Sequence, residues 1–199
     1  MRRYAMVDSL PVTVDSLTLS RRERDVSSGF TRVTTTVELS GDGCVGRGED
    51  VCYGADDHAN YPRPDLTGEW EFDGLSDAIA DADLWPDDPS QHHAPAFRQW
   101  AFESAALDLG LSQAEMTLAE ALDTEAEPVR FVVSTRLDGF DRIESLLDAN
   151  PDAEFKLDPT PEWDDRLLER LADLDRVRVL DLKGLYEGTE VDTEPSAEF

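Results

Sequence analysis

The chain has 199 residues and draws its positive charge from sixteen arginines and only two lysines. Lys156 stands in Phe-Lys-Leu-Asp, two residues before Asp158, and Lys183 stands in Asp-Leu-Lys-Gly, two residues after Asp181. Each tetrapeptide closes a strand-like run. Residues i and i+2 of a strand share a face, so Lys156 points with Asp158 and Asp181 points with Lys183. Brought together at the strand ends, the four groups set two cations beside two anions, where α/β enzymes place their chemistry. A lysine desolvated there can release its proton and act as a base. The plain alternative for each pair is a structural salt bridge, since such pairs perturb ionisation as well.

The elements that must position these residues lie in 128–199. Val129–Leu137 is a buried-type strand, and Gly139–Ala149 a helix that turns Phe140, Ile143 and Leu147 inward. Glu154–Asp158 is a second strand. Thr160 caps the next helix, Pro161 takes its first position, and Asp164 and Asp165 favour its positive end. Its inner face is Trp163, Leu167, Leu168 and Leu171, and Val177–Leu182 is a third strand. Phe131, Phe155 and Val179 are spaced 24 residues apart, a β-α-β-α-β rhythm that implies parallel strands. Tyr186–Phe199 is acidic and carries no period. Parallel sheets need both faces covered. A closed eight-stranded barrel takes about 250 residues, against about seventy from Pro128 onward. The expectation is a cut-short segment, or one that another chain completes.

Residues 1–127 read as strands followed by helices, an α+β arrangement. Residues 12–24 and 30–39 are β-rich, and Ser40-Gly41-Asp42-Gly43 turns into a short third strand, Cys44–Glu49, making an antiparallel meander. Val51–Pro64 is a long aperiodic loop. Gly74–Leu84 is a short helix ended by Trp85-Pro86. Pro95 opens a helix that is apolar nearly all round, including Trp100, and Gly110 is its natural stop. Ser112 and Glu115 then match a capping box. Trp70, Trp85 and Trp100 read as core or interface aromatics. Glu103 and Asp108 read as hydrogen-bonding groups rather than catalysts. His92 and His93 lie side by side in a polar loop, and with His58 lack metal-ligand spacing.

The formal charge of −27 comes from 45 acidic residues against 18 basic ones. Such a surface repels nucleic-acid phosphates and anionic membranes, so neither is an expected partner. It suits concentrated salt, where the Debye length falls to about 3 Å at 1 M and self-repulsion is screened, so the sequence reads as halophilic. The start has two arginines and no apolar run behind them, and nothing reaches the length of a membrane span. Cys44 and Cys52 accordingly read as free thiols, and the expected location is the cytoplasm.

Three stretches together resemble the enolase superfamily, in its mandelate racemase and muconate lactonizing enzyme branch. Residues 34–49 resemble the cap hairpin that ends in Gly-x-Gly-Glu, here Gly46-Arg47-Gly48-Glu49. Phe102–Leu109 resembles the helix that joins cap to barrel, with Glu103 and Asp108 in place. Phe155–Asp158 and Val179–Gly184 fall where the second and third barrel strands would be. The resemblance implies an α+β cap domain over 1–127, an antiparallel meander plus helices. An α/β segment over 128–199 follows, as the first three βα units of a (β/α)8 barrel. It spans nearly all of this chain but about half of a family member.

The resemblance implies Mg²⁺-dependent removal of a proton α to a carboxylate, as a lyase, racemase or cycloisomerase acting on an acid sugar or a related small carboxylate. Lys156 matches the first lysine of the second-strand Lys-x-Lys motif, and Asp158 replaces the second. Asp181 matches the first metal-ligand carboxylate, with Lys183 where an asparagine is common. Asp25, Ser27 and Tyr53 fall where cap loops cover the substrate. A single carboxylate holds Mg²⁺ weakly, because the ion wants near-octahedral oxygen ligands. The competing reading is a non-catalytic remnant, or a subunit completed by a homo-oligomer or a second chain.

Overall fold

A computed structural model describes residues 3–25 and 30–182. They form two compact units that divide after Ala126. No helix among them is long and apolar enough to cross a membrane.

The first unit is α+β. β1 (Pro11–Val14), β2 (Ser16–Asp25), β3 (Thr31–Gly41) and β4 (Cys44–Asp50) follow one another, and β5 (Gly68–Glu71) comes after a single 3-10 turn at Asp56–His58. β2, β3 and β4 are an antiparallel meander, while β1 pairs with β5 in a separate two-stranded sheet. The continuous strand expected over 12–24 is therefore broken at Asp15. The cause is visible in the side-chain phase: Val12 and Val14 are buried on even positions, whereas Leu17 and Leu19 turn inward on odd ones. Along β3 the alternation is unbroken, with Val33, Thr35, Val37 and Leu39 all buried, as period 2 demands of a half-buried strand.

α1 (Phe72–Asp81) and α2 (Ala94–Gln113) close this unit's core, and a short α3 (Leu118–Ala121) follows. α2 runs through Gly110 rather than stopping there; the glycine serves packing instead, since a Cβ would stand 2.9 Å from the side chains of Leu10 and Val12. The capping box is correspondingly displaced: it is Thr117 and Glu120, at the start of α3, not Ser112 and Glu115. α2 buries Ala101, Phe102, Ala105, Ala106 and Leu109, but Trp100 is 60% exposed, so the helix is two-sided rather than enclosed. Trp70 and Trp85 do pack against the core. Glu103 accepts hydrogen bonds from Ser76 and Gln99, and Asp108 from the backbone of Arg47. Cys44 and Cys52 are free.

The second unit alternates β6 (Val133–Thr135), α4 (Asp141–Ala149), β7 (Phe155–Leu157), α5 (Asp165–Leu174) and β8 (Val177–Leu180). The three strands form one parallel sheet in the order β6-β7-β8. The 24-residue spacing is not its register. Val133 pairs with Phe155 and Phe155 with Val177, a repeat of 22, and an irregularity after Phe155 makes the β7–β8 offset 23 from Lys156 on. Phe131 lies before β6 and is 85% exposed, so the expected strand Val129–Leu137 shrinks to its middle. α5 begins later than expected, with Asp164 as its cap, accepting from the backbone of Leu167 at 2.8 Å. Leu168 is exposed, while Trp163 and Leu171 are buried.

Phe155 and Leu157 are fully buried beside Ile143 of α4 and Leu171 of α5. Each such side chain contributes about 1.5–3 kcal/mol by leaving water. Both helices therefore share the core on one face of β7. Alternation turns Glu154, Lys156 and Asp158 to the other face, and that face carries the candidate site. A closed barrel is not seen among the described residues.

Candidate functional site

The outward face of β7 carries charges in the order minus, plus, minus, and each is answered from a neighbouring strand. Glu154 binds Arg130, which precedes β6, at 3.3 Å and Arg178 of β8 at 2.7 Å. Lys156 reaches Asp181, just past β8, with Nζ 2.5 Å from Oδ2. Asp158 meets Arg136, just past β6, with Oδ2 3.5 Å from Nε. The parallel register sets this up: Ser134, Lys156 and Val179 lie in one row, so the residues two further on in each strand reach the carboxyl edge together. The backbone amide of Asp181 donates to the carbonyl of Leu157 at 2.9 Å, which fixes the chain as it leaves β8.

Lys156 thus meets Asp181 across the strands, not Asp158 along its own strand. Lys183 and Ser27 lie outside the described residues. Asp25 and Tyr53 belong to the first unit. The Asp25 carboxylate accepts from the Thr31 hydroxyl at 2.8 Å. Tyr53 is half-exposed, with the Arg32 guanidinium 4.5 Å from its ring centre. Arg136 is the residue that the strand-end reasoning overlooked. Its signal was available, since it stands two residues after Ser134 as Asp158 stands two after Lys156, but the misplaced register hid it.

The strand ends set two cations beside two carboxylates on a solvent-accessible edge. That arrangement can hold an anionic group and present a lysine to it. Magnesium does not fit the described residues alone, because no three His, Cys, Asp or Glu side chains among them are grouped to bind an ion. Asp158 and Asp181 each face a cation instead.

A second polar cluster is buried in the first unit. Arg98 is 1% exposed and donates through Nε to Asp50 at 2.9 Å, and also to the backbone carbonyls of Leu84 and Asp57. Its guanidinium lies between the rings of Trp85 at 3.7 Å and Tyr61 at 4.3 Å. Burial alone would raise the Asp50 carboxyl, but hydrogen bonds from Cys52 and Arg98 outweigh it and hold it below its usual range. Burial likewise pushes the Cys52 thiol and the Tyr61 phenol far up, so neither is a ready nucleophile. His58 is buried between the Thr35 hydroxyl, 2.9 Å from Nδ1, and the Cys52 carbonyl, 3.1 Å from Nε2. That carbonyl only accepts, so Nε2 carries a proton and donates to it. A cavity of about 320 Å³ opens beside Arg98, lined by Asp56, Asp57, Asn60, Trp85 and Asp88 among others.

Comparison with known proteins gives two family matches. Residues 5–121 match the model described as "Domain of unknown function (DUF8230) N-terminal domain", and residues 125–199 match its C-terminal counterpart. Among solved structures, an L-Ala-D/L-Glu epimerase is similar at 16% identity and a TM-score of 0.37, over 84% of this chain. The chain spans 60% of the length of that structure. No curated protein sequence matches. The first family model alone covers more than half of the residues, and the chain therefore belongs to the DUF8230 family.

Proposed function

We propose that the second unit supplies one side of an active site that removes the proton α to a carboxylate, with Lys156 as the acid–base group. The observation that carries this reading is the Lys156–Asp181 contact at the carboxyl ends of two adjacent parallel strands. Ligands of open parallel sheets bind at this edge. The enolase-like motifs around Gly46–Glu49 and Phe102–Leu109 support the same chemistry by resemblance. Asp181 steers the lysine, and the neighbouring cations offset the negative charge that develops on the substrate as its proton leaves. Magnesium enters this reading only as an ion that Asp181 would hold together with oxygen ligands from beyond the described residues.

The test is loss of the α-proton signal by NMR in D₂O at high salt, for a panel of α-hydroxy and α-amino carboxylates with added Mg²⁺. General acid–base groups contribute about 10²–10⁴-fold, so Lys156→Met is expected to slow exchange by at least about 100-fold. Equal rates in wild type and variant would sink the assignment.

A second reading has its own observation. Val179, Leu180 and Leu182 are 42%, 54% and 56% exposed, and Phe131 is 85% exposed. Among the described residues no strand pairs beyond β8, and apolar side chains along such an edge mark an association surface. The chain would then be a subunit completed by another copy or another protein. Light scattering behind size exclusion in concentrated salt is expected to give a multiple of 22.2 kDa, whereas a well-behaved monomer counts against this reading.

A further inference from the structure

Arg136 is the most open group of the strand-end cluster. Its side chain is 49% exposed, against 33% for Lys156, 24% for Asp181 and 17% for Asp158. Its contact with Asp158 is made through Nε, at 3.5 Å. Among the described residues, Nη1 and Nη2 have no hydrogen-bond partner. The guanidinium is thus tethered on one side and unused at its planar end. That end matches a carboxylate with two parallel hydrogen bonds, a geometry an ammonium cannot reproduce. A chain of charge −27 repels anions over most of its surface, so an open fork beside a second cation is a place where a small anion can settle.

We propose that Arg136 receives the carboxylate of the substrate, oriented by Asp158, while Lys156 on the adjacent strand faces the carbon next to it. This rests on the proton-abstraction reading and adds a positioning residue to it. It also gives Asp158, which replaces the second lysine of the second-strand motif, a part of its own: it holds the arginine.

The probe is ¹³C-labelled lactate, titrated by NMR against the full chain at constant high salt, with thermal melts confirming that each variant is folded. Arg136→Met is expected to weaken lactate binding at least tenfold. Arg136→Lys should restore part of that loss, since it returns the charge without the fork. Asp158→Asn is expected to weaken lactate binding less than Arg136→Met does, because it keeps the guanidinium and removes only the carboxylate that orients it. If the pair were only a structural bridge, Asp158→Asn would lose as much as Arg136→Met. Lactate binding that is absent in the wild type, or unchanged in Arg136→Met, overturns the proposal. Should Arg136→Met fail to fold, the other two variants carry the test. Binding that depends on Arg136 with no exchange of any α-proton would leave the carboxylate site standing and sink the chemistry. Exchange that Arg136→Met leaves intact would sink Arg136 alone.

Discussion

Replacing Arg98 by methionine is expected to destabilise the first unit by about 3–5 kcal/mol, the range for breaking a buried ion pair from one side. The loss comes from what remains behind. Asp50 is fully buried, and without Arg98 it keeps only the amide of Cys52, at 2.9 Å, among its described hydrogen bonds. The carbonyls of Leu84 and Asp57 lose their donor as well, and each buried group left unpaired costs about 1–3 kcal/mol. Asp50→Asn should be damaging from the other side, leaving a guanidinium in the core without its counter-charge. The double variant is expected to be less damaged than the sum of the singles, and denaturant melts at fixed salt measure this directly. Additive losses would show that the two residues do not act as a pair.

The same pair sets a pH dependence. The folded carboxyl of Asp50 lies below its unfolded value of 3.8. Its contribution to stability is therefore complete above that value and is lost as pH falls through the lower, folded one. In Asp50→Asn this component of acid sensitivity should disappear.

Sequence periodicity made the meander, the long helix and the β-α-β-α-β order legible, because each carries its own repeat. Register was not. Phe131 and Val179 looked like core positions and gave a 24-residue period, yet one precedes β6 and the other is 42% exposed. The true repeat, Val133–Phe155–Val177, is set by backbone pairing that hydrophobicity alone does not encode. The offset of 22 between β6 and β7 is what sets Arg136 level with Asp158, and a 24-residue spacing leaves Arg136 anonymous among sixteen arginines. Arg98 left a clearer trace. It falls at i, i+3, i+4 and i+7 with Ala101, Phe102 and Ala105, all buried, so helical spacing places an arginine on an inward face. A charge there demands a partner, but only the fold identifies Asp50.

Gly46 and Gly48 are the glycines of the Gly-x-Gly-Glu motif, and the fold gives the motif a physical reason. β4 lies directly on α2, and the two glycines are where strand backbone and helix backbone touch. A Cβ at Gly48 would stand 1.9 Å from the carbonyl oxygen of Ala101. One at Gly46 would stand 2.2 Å from both the carbonyl oxygen of Ala105 and the amide of Leu109. The obstacles are backbone atoms of a 20-residue helix, so no side chain can rotate away, and the helix would have to lift off the sheet. Lifting it would also loosen Ala101, Ala105 and Leu109, which are among the most buried residues of the core. Overpacking typically costs about 1–3 kcal/mol where neighbours can shift, and here the neighbour is a whole element. Gly48→Ala is accordingly expected to exceed that range and to leave little folded first unit at 37 °C, with Gly46→Ala close behind. Exposed Gly43, at φ +75° in the β3–β4 turn with open space around it, provides the comparison. Gly43→Ala pays only for the left-handed backbone, about 1–2 kcal/mol, and should remain folded. Circular dichroism melts of the three variants separate the two causes. If Gly48→Ala melts within a few degrees of Gly43→Ala, the strand–helix contact is not what the glycines serve.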